Sequence, residues 1–319
     1  MIPNVSRPLV WTGTKDSIEN RVRQAKFDLE ALKGSGYMLI DMHVHSRFSD
    51  SYSRVSKLLE RARRLGIGLA ITDHNEILGV ERAYKIKGRT PVIPGIEIST
   101  FEGPHILVYF SNIRSLRFFY YRYVFHRKTA DPHSNTTLTI SELMQAAKGY
   151  DCLVSVAHPF SLAYTHVPKS IERGYISPDF LDQVDAIEVL NGAVTRKRNR
   201  QAIEFAGKLG KTITGGSDSH SIFELGKIVT YAKARTVKQF LAAVREGTCC
   251  VTGTPMPQLL RVPSLAKSSR KHLVHFFPSL HQRYEQIIAR PVRLRGPMLV
   301  EKLQQLTTEG IEWLKTPIF

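Results

Sequence analysis

Short apolar runs that end in polar motifs recur along this chain. Gly36-Tyr37-Met38-Leu39-Ile40 leads into Asp41-Met42-His43-Val44-His45, and Leu69-Ala70-Ile71 into Thr72-Asp73-His74-Asn75. Lys211-Thr212-Ile213-Thr214 leads to Ser217-Asp218-Ser219-His220, and Gly95-Ile96-Glu97 closes another such run. Residues 106–110, 152–157 and 186–190 have the same character. Each run is too short for a helix and rich enough in apolar or β-branched side chains for a buried strand. Between them, helical patterns at 55–65, 140–147, 199–209 and 237–246 predict parallel β/α repeats. A polar leader over 1–36 carries a predicted helix at 15–32 and has no apolar core of a secretory signal. The central unit is expected to span 37–254.

Beyond 254 the pattern changes. Prolines recur at 255, 257, 263, 278, 291, 297 and 317, and ten Lys or Arg stand against four Glu. The segment 255–319 therefore reads as a basic, proline-containing extension with helical candidates at 280–289 and 297–314, the second expected to pack on the main unit. No stretch is long and apolar enough to cross a bilayer.

Strand geometry turns the polar motifs into chemistry. Residues i and i+2 share a face, so His43 and His45 point the same way, as do Asp218 and His220. Histidines and carboxylates gathered at the ends of several strands are what a metal centre requires. His105 opens one run and His158 closes another; each is a further ligand candidate or else a capping or turn residue near the core. His126, His133, His166, His272, His275 and His281 lie in polar or irregular stretches and are expected to be solvated. The three cysteines, Cys152, Cys249 and Cys250, have no ligand spacing, which fits a reduced, cytoplasmic chain.

Taken in order, these motifs resemble those of the PHP (polymerase and histidinol phosphatase) superfamily of metal-dependent phosphoesterases: Asp41-Met-His43-Val-His45-Ser46 with Asp50, Thr72-Asp73-His74-Asn75, Pro94-Gly95-Ile96-Glu97, Ala157-His158-Pro159, and Ser217-Asp218-Ser219-His220. The resemblance covers residues 38 to 252 and implies an α/β fold, a distorted (β/α)7 barrel, with metals at the carboxyl ends of the strands. It implies that His43, His45, Glu97 and Asp218 hold one ion, Glu97, His105 and His158 a second, and Asp50, His74 and His220 a third. Glu97 would bridge the first two, and Glu97, Asp218 and His158 would stand closest to the chemistry. Two to three divalent ions, Mn, Fe or Zn, suit such imidazole and carboxylate donors. Asp41 and Asp73 either orient imidazoles or brace loops. The stretch between Glu97 and His158 is too short for the inserted helical domain of long nucleotide- and RNA-processing relatives.

Charge bears on the substrate. A formal net charge of +17 over 319 residues favours anionic partners. The resemblance implies hydrolysis of a phosphoester of a small phosphorylated metabolite or nucleotide, since clustered divalent ions lower the pKa of bound water to about 7 and clamp phosphoryl oxygens. A nuclease acting on nucleic-acid ends and a metal-bound regulatory module are the alternatives. Arg47, Arg196 and Lys197 are the candidates for phosphate contact, Arg47 being also a candidate partner of Asp50. Arg61, Arg63 and Arg64 read as a solvated helix face. The basic stretch around Phe118-Phe119-Tyr120-Tyr121 reads either as a nucleic-acid surface or as one side of a buried helix.

Overall fold

The computed structural model describes residues 17–161 and 165–275, together with Tyr284. The chain opens with α1 (Ile18–Arg21), β1 (Val22–Arg23), α2 (Leu29–Gly34) and β2 (Met38–Val44). Then follow α3 (Val55–Leu65), β3 (Gly68–Ile71), α4 (Leu78–Ile86), β4 (Val92–Ser99), β5 (His105–Phe110) and α5 (Ile113–Phe119). After a π-turn over Tyr120–Val124 come α6 (Ile140–Ala147), β6 (Cys152–Val156), α7 (Val167–Glu172), α8 (Phe180–Gln183), β7 (Ala186–Asn191) and α9 (Arg196–Leu209). The described part closes with β8 (Thr212–Gly216), β9 (Ile228–Ala232), α10 (Val237–Arg245), β10 (Cys250–Gly253) and α11 (Gln258–Val274).

Among the described residues, ten strands form one curled, mixed sheet in the order β1-β10-β9-β2-β3-β4-β5-β6-β7-β8. The runs β2-β3-β4 and β6-β7-β8 are parallel, as β/α repeats require. The purely parallel pattern read from the sequence fails in two places. The connection from Ser99 to His105 is too short for a crossover, so β4 and β5 pair antiparallel, and β6 is antiparallel to β5 in turn. On the other side β9 runs antiparallel to both β2 and β10.

Curling brings the end of β8 back to β2. Val44 bridges to Ser219, the His45 amide donates to the Ser219 carbonyl at 3.0 Å, and the Ser219 amide donates to the His43 carbonyl at 3.4 Å. Gly216 makes this possible, because a Cβ there would run into the backbone of His43. The interior is filled by fully buried Ile40, Met42, Val44, Ile71, Ile96, Ile98 and Val108, each contributing roughly 1.5–3 kcal/mol of apolar burial.

Local signals set the helix ends. α3 stops at Gly66, which takes the left-handed conformation at φ 64°, and α6 starts in a capping box formed by Thr139 and Glu142. The helix expected over 15–32 is instead two short helices. Val22 and Arg23 pair with Val251 and Thr252 of β10, and the Asp28 carboxylate starts α2 afresh by accepting from the amides of Glu30 and Ala31. The aromatic run is divided: Phe119 and Tyr120 are buried, whereas Phe118 and Tyr121 are exposed.

The extension after 254 forms α11, which was not among the helices expected there. Pro257 precedes the first turn, where a missing amide costs nothing, and the helix continues through Pro263. The predicted helices at 280–289 and 297–314 lie outside the described residues, Tyr284 excepted. Among the described residues, no helix is long and apolar enough to cross a membrane.

Candidate metal centre

Nine side chains expected at the site meet where the carboxyl ends of β2, β3, β4, β6 and β8 and the start of β5 come together. Glu97, near the end of β4, is completely buried, and its two oxygens face five imidazoles. Oε2 lies 3.2 Å from His43 Nε2, 3.3 Å from His45 Nε2 and 3.0 Å from His74 Nδ1. Oε1 lies 2.9 Å from His105 Nδ1 and 3.1 Å from His158 Nε2. Asp218 Oδ1 stands 3.2 Å from His45 Nε2 and 3.7 Å from His43 Nε2. Farther along, Asp50 Oδ2 is 2.7 Å from His220 Nε2 and 3.9 Å from His74 Nε2.

These groups have the character of a metal centre rather than of a hydrogen-bonded core. Glu97 Oε2 is buried with three imidazole nitrogens close by and forms no well-directed hydrogen bond with any of them. His43 Nε2 and His45 Nε2 face each other at 3.1 Å, although one proton at most can lie between them. Four groupings of these donors are compact enough to surround an ion: His43 with Glu97 and His158, His43 with His45 and Asp218, His74 with Glu97 and His105, and His45 with Asp50, His74 and His220. The residues therefore fit a cluster of divalent ions bound through nitrogen and oxygen.

Electrostatics point the same way. Burial works to raise the carboxyls of Glu97, Asp50 and Asp218, but the imidazoles around them outweigh it and hold all three well below the ordinary carboxylate range. Burial works to lower His43 and His220, yet Glu188, Glu97 and Asp218 pull His43 well up, and Asp50 brings His220 to about 9. Burial holds His74 well below the ordinary imidazole range, whereas without cations protons gather at His43, His158 and His220, and metal uptake would displace them.

Backbone strain is concentrated here as well. Asn75, His158 and Asp218 have φ of 51°, 24° and 48°, the positive values among described residues other than glycine, and each belongs to a site motif. Conformations of this kind cost on the order of 1–3 kcal/mol each and persist where surrounding contacts enforce them. Asn75 is held by its side chain, which accepts from the Ser99 amide and donates to the Pro132 carbonyl. The His158 amide donates to Glu188 Oε2 at 2.8 Å.

Comparison with known proteins agrees with this architecture. Residues 196–249 match the PHP-associated family. The matched segment runs from α9 through α10 and includes Asp218 and His220. An uncharacterized protein of Methanocaldococcus jannaschii is 28% identical over 193 residues, 59% of this chain and 68% of the relative. PsfC from Pseudomonas syringae superposes with a TM-score of 0.52 at 18% identity, covering 74% of this chain and 99% of that one. The lesion-specific endonuclease PfuEndoQ from Pyrococcus furiosus gives 0.53 at 19% identity, covering 67% of this chain and 57% of its own. The two structural likenesses concern the fold.

Of the two roles open to Asp41 and Asp73, the hydrogen bonds around the cluster favour loop bracing: both accept from backbone amides and serine hydroxyls rather than from imidazole nitrogens. Asp41 accepts from the amide and hydroxyl of Ser217 and from the Gly226 amide, and Asp73 accepts from the amide and hydroxyl of Ser46 and from the Ser49 hydroxyl. Both carboxylates tie the ligand-bearing loops together. The imidazole-orienting carboxylate is Glu188, buried on β7, with Oε1 at 2.9 Å from His43 Nδ1. Its signal in the sequence is a lone acid inside the apolar run 186–190.

The basic candidates diverge. Arg47 is exposed with its guanidinium over the Phe48 ring, and it forms no ion pair with Asp50. With Arg54 and Arg82 it lines a cavity of about 300 Å³ at the start of α3, where Arg54 gives no side-chain cap. Arg196 and Lys197 are exposed in the first turn of α9, and Arg196 lines a different cavity that contains none of the candidate ligands. In the aromatic stretch, Arg117 pairs with Glu81, Arg127 with Glu142, and Lys128 with Glu76, so this basic patch is largely neutralised. On α3, Arg64 pairs with Glu60 and Arg63 bonds Thr90 and the Ile86 carbonyl, in keeping with a solvated helix face.

His272, expected to be solvated, instead reaches the site from α11, with Nδ1 3.2 Å from Asp131 and Nε2 3.8 Å from Asp50.

Proposed function

We propose that the chain is a metal-dependent phosphoesterase acting on a small phosphorylated metabolite or nucleotide. The observation that carries this reading is the convergence of five imidazoles on the two oxygens of the buried Glu97. Bound divalent ions, Mn, Fe or Zn, would supply an activated water and neutralise charge on phosphoryl oxygens.

His43, His45, Glu97 and Asp218 would hold one ion, with Glu97 shared with a neighbour that His105 and His158 complete. Asp50, His74 and His220 would form the third subsite. Glu188 fixes the His43 ring through Nδ1 and so leaves Nε2 directed at the cluster. Glu97, His43 and His45 form a fully buried floor, while His74, His105, His158, Asp218 and His220 retain slight exposure and mark the mouth. A phosphoryl group entering there meets the partly exposed ligands first.

A second reading, hydrolysis of nucleic-acid ends, is favoured by the cavity of Arg47, Arg54 and Arg82. Arg47 is two residues from His45, and two residues span at most about 7 Å, so this cavity could take a neighbouring phosphate of the same strand. The fold likeness to a lesion-specific endonuclease is compatible with that reading.

The test is elemental analysis of the purified full chain together with Mn-stimulated hydrolysis of phosphomonoesters, nucleotides and short oligonucleotides. Two to three ions with turnover of monoesters supports the first reading. Turnover of oligonucleotides alone, with affinity falling steeply with salt, supports the second. Bound ions without turnover of any substrate would refute both and leave a regulatory module.

A further inference from the structure

The donor set of the third subsite falls to three when each ring is allowed its single lone pair. A neutral imidazole has one acceptor nitrogen. His45 Nε2 lies within 3.1–3.3 Å of His43, Glu97 and Asp218, whereas its Nδ1 is 3.6 Å from Asp50, so its lone pair belongs to the first subsite. Asp50, His74 and His220 remain, and a four-coordinate ion held by three protein donors has a fourth position open to a further side chain or to water.

The segment after 254 supplies a candidate. His272 Nε2 is 3.8 Å from Asp50 Oδ2, a separation like those between the other candidate ligands. Its opposite nitrogen, Nδ1, is 3.2 Å from Asp131, which is itself held by the Ser134 hydroxyl and the His133 amide. A carboxylate on one imidazole nitrogen with the other directed at a ligand cluster is the arrangement that fixes a metal-binding histidine.

Neighbouring residues on α11 dock the helix onto the site loops. The Ser268 hydroxyl donates to Asp50 Oδ2 at 2.8 Å, and Lys271 Nζ donates to the carbonyls of Arg47 and Ser49 at 2.8 and 2.6 Å. One turn from the start of the helix, Arg261 is buried and donates to the Asp218 carbonyl at 3.2 Å. α11 thus touches both loops that carry the third-subsite carboxylate and His220.

We infer that α11 completes the third metal subsite, with His272 as its fourth protein donor, Asp131 holding the ring and Ser268 holding Asp50. The inference rests on the metal-centre reading proposed above. It makes the third ion dependent on the segment after residue 254, while the two ions around Glu97 depend on the barrel alone.

Metal content and calorimetric titration with Mn²⁺ and Zn²⁺, made on the full chain, test it without reference to activity. His272→Ala should lose the third equivalent or bind it at least about tenfold more weakly, with the first two unchanged. Asp131→Asn, which keeps the ligand and loosens the ring, should weaken the third ion by about 10–100-fold. His272→Asp, restoring an oxygen donor, should recover part of the loss. Should His272→Ala fold poorly, Asp131→Asn carries the test alone. A third equivalent bound equally by wild type, His272→Ala and Asp131→Asn overturns the inference and leaves the phosphoesterase reading standing. A wild-type chain that binds two ions only also overturns it. A wild-type chain that binds none removes the metal-centre reading and the inference together.

Discussion

The floor and the mouth of the metal centre are built by different means. At the floor, His43, His45 and Glu97 sit at the ends of β2 and β4 with no side-chain exposure, and their directions follow from strand alternation. On the third-subsite side of the mouth, His220 follows β8, and beneath it Asp50 lies on a loop while Ser268 and His272 arrive on α11. The floor is specified by local sequence and the curl of one sheet. The mouth is specified by contacts between segments about two hundred residues apart, such as Ser268 to Asp50, which are 218 positions distant. Damage at the floor should therefore be general, and damage at the mouth selective.

The largest effect is expected at Glu97. Glu97→Gln removes the charge that five imidazoles face, so hydrolysis should fall below detection and bound metal should drop by more than one equivalent. Full activity with unchanged metal content would break the distinction between floor and mouth. Next comes Glu188→Gln, which keeps the hydrogen-bonding shape but weakens the hold on His43. Metal affinity or kcat should fall by about 10–100-fold, measured by titration and steady-state kinetics. A loss limited to the third ion would place Glu188 in the wrong region.

How much of this was legible in the sequence follows the same division. Strand-end histidines announce themselves because the period of two is local and the apolar run before each motif is intact. The helices at 55–65 and 140–147 match the observed bounds, since αL glycine and a capping box mark them in the chain. Glu188 was visible as an acid in an apolar run, but its partner His43 lies 145 positions away. His272 had no local signal at all: it stands in a proline-containing basic segment, and its role depends on Asp131 being 141 positions upstream. The antiparallel turns of β5 and β9 were hidden for a related reason, because an apolar run does not encode the direction of the strand it pairs with.

A smaller effect is expected at the entrance. Arg47→Ala should raise KM about tenfold with kcat nearly unchanged, as befits one charge-assisted phosphate contact of roughly 1.5–3 kcal/mol partly replaced by water. With an oligonucleotide substrate the same variant should flatten the salt dependence by about one unit of slope. No change in either quantity would remove Arg47, and with it the arginine cavity, from the substrate path.

The smallest effect belongs to the outer layer, where the capping box of α6 offers a control that touches neither floor nor mouth. Thr139→Ala should cost about 1 kcal/mol of stability in denaturant unfolding and leave metal content and kcat unchanged. Its partner Glu142 supplies the pH dependence. Hydrogen bonds from Arg127 and from the Thr139 amide bring its carboxyl down from 4.5 to about 2. A depressed folded pKa stabilises above the unfolded value, so this contribution is complete above pH 4.5 and disappears as pH falls through about 2. The side chain is 46% exposed, and solvent screening keeps the gain within about 1 kcal/mol. Between pH 5 and 2 the wild-type chain should lose that increment relative to Glu142→Gln, whose stability lacks this titration. If Thr139→Ala instead released metal, stability and site assembly would be coupled across the fold, and selective loss of the third ion in a mouth variant could no longer be attributed to the mouth alone.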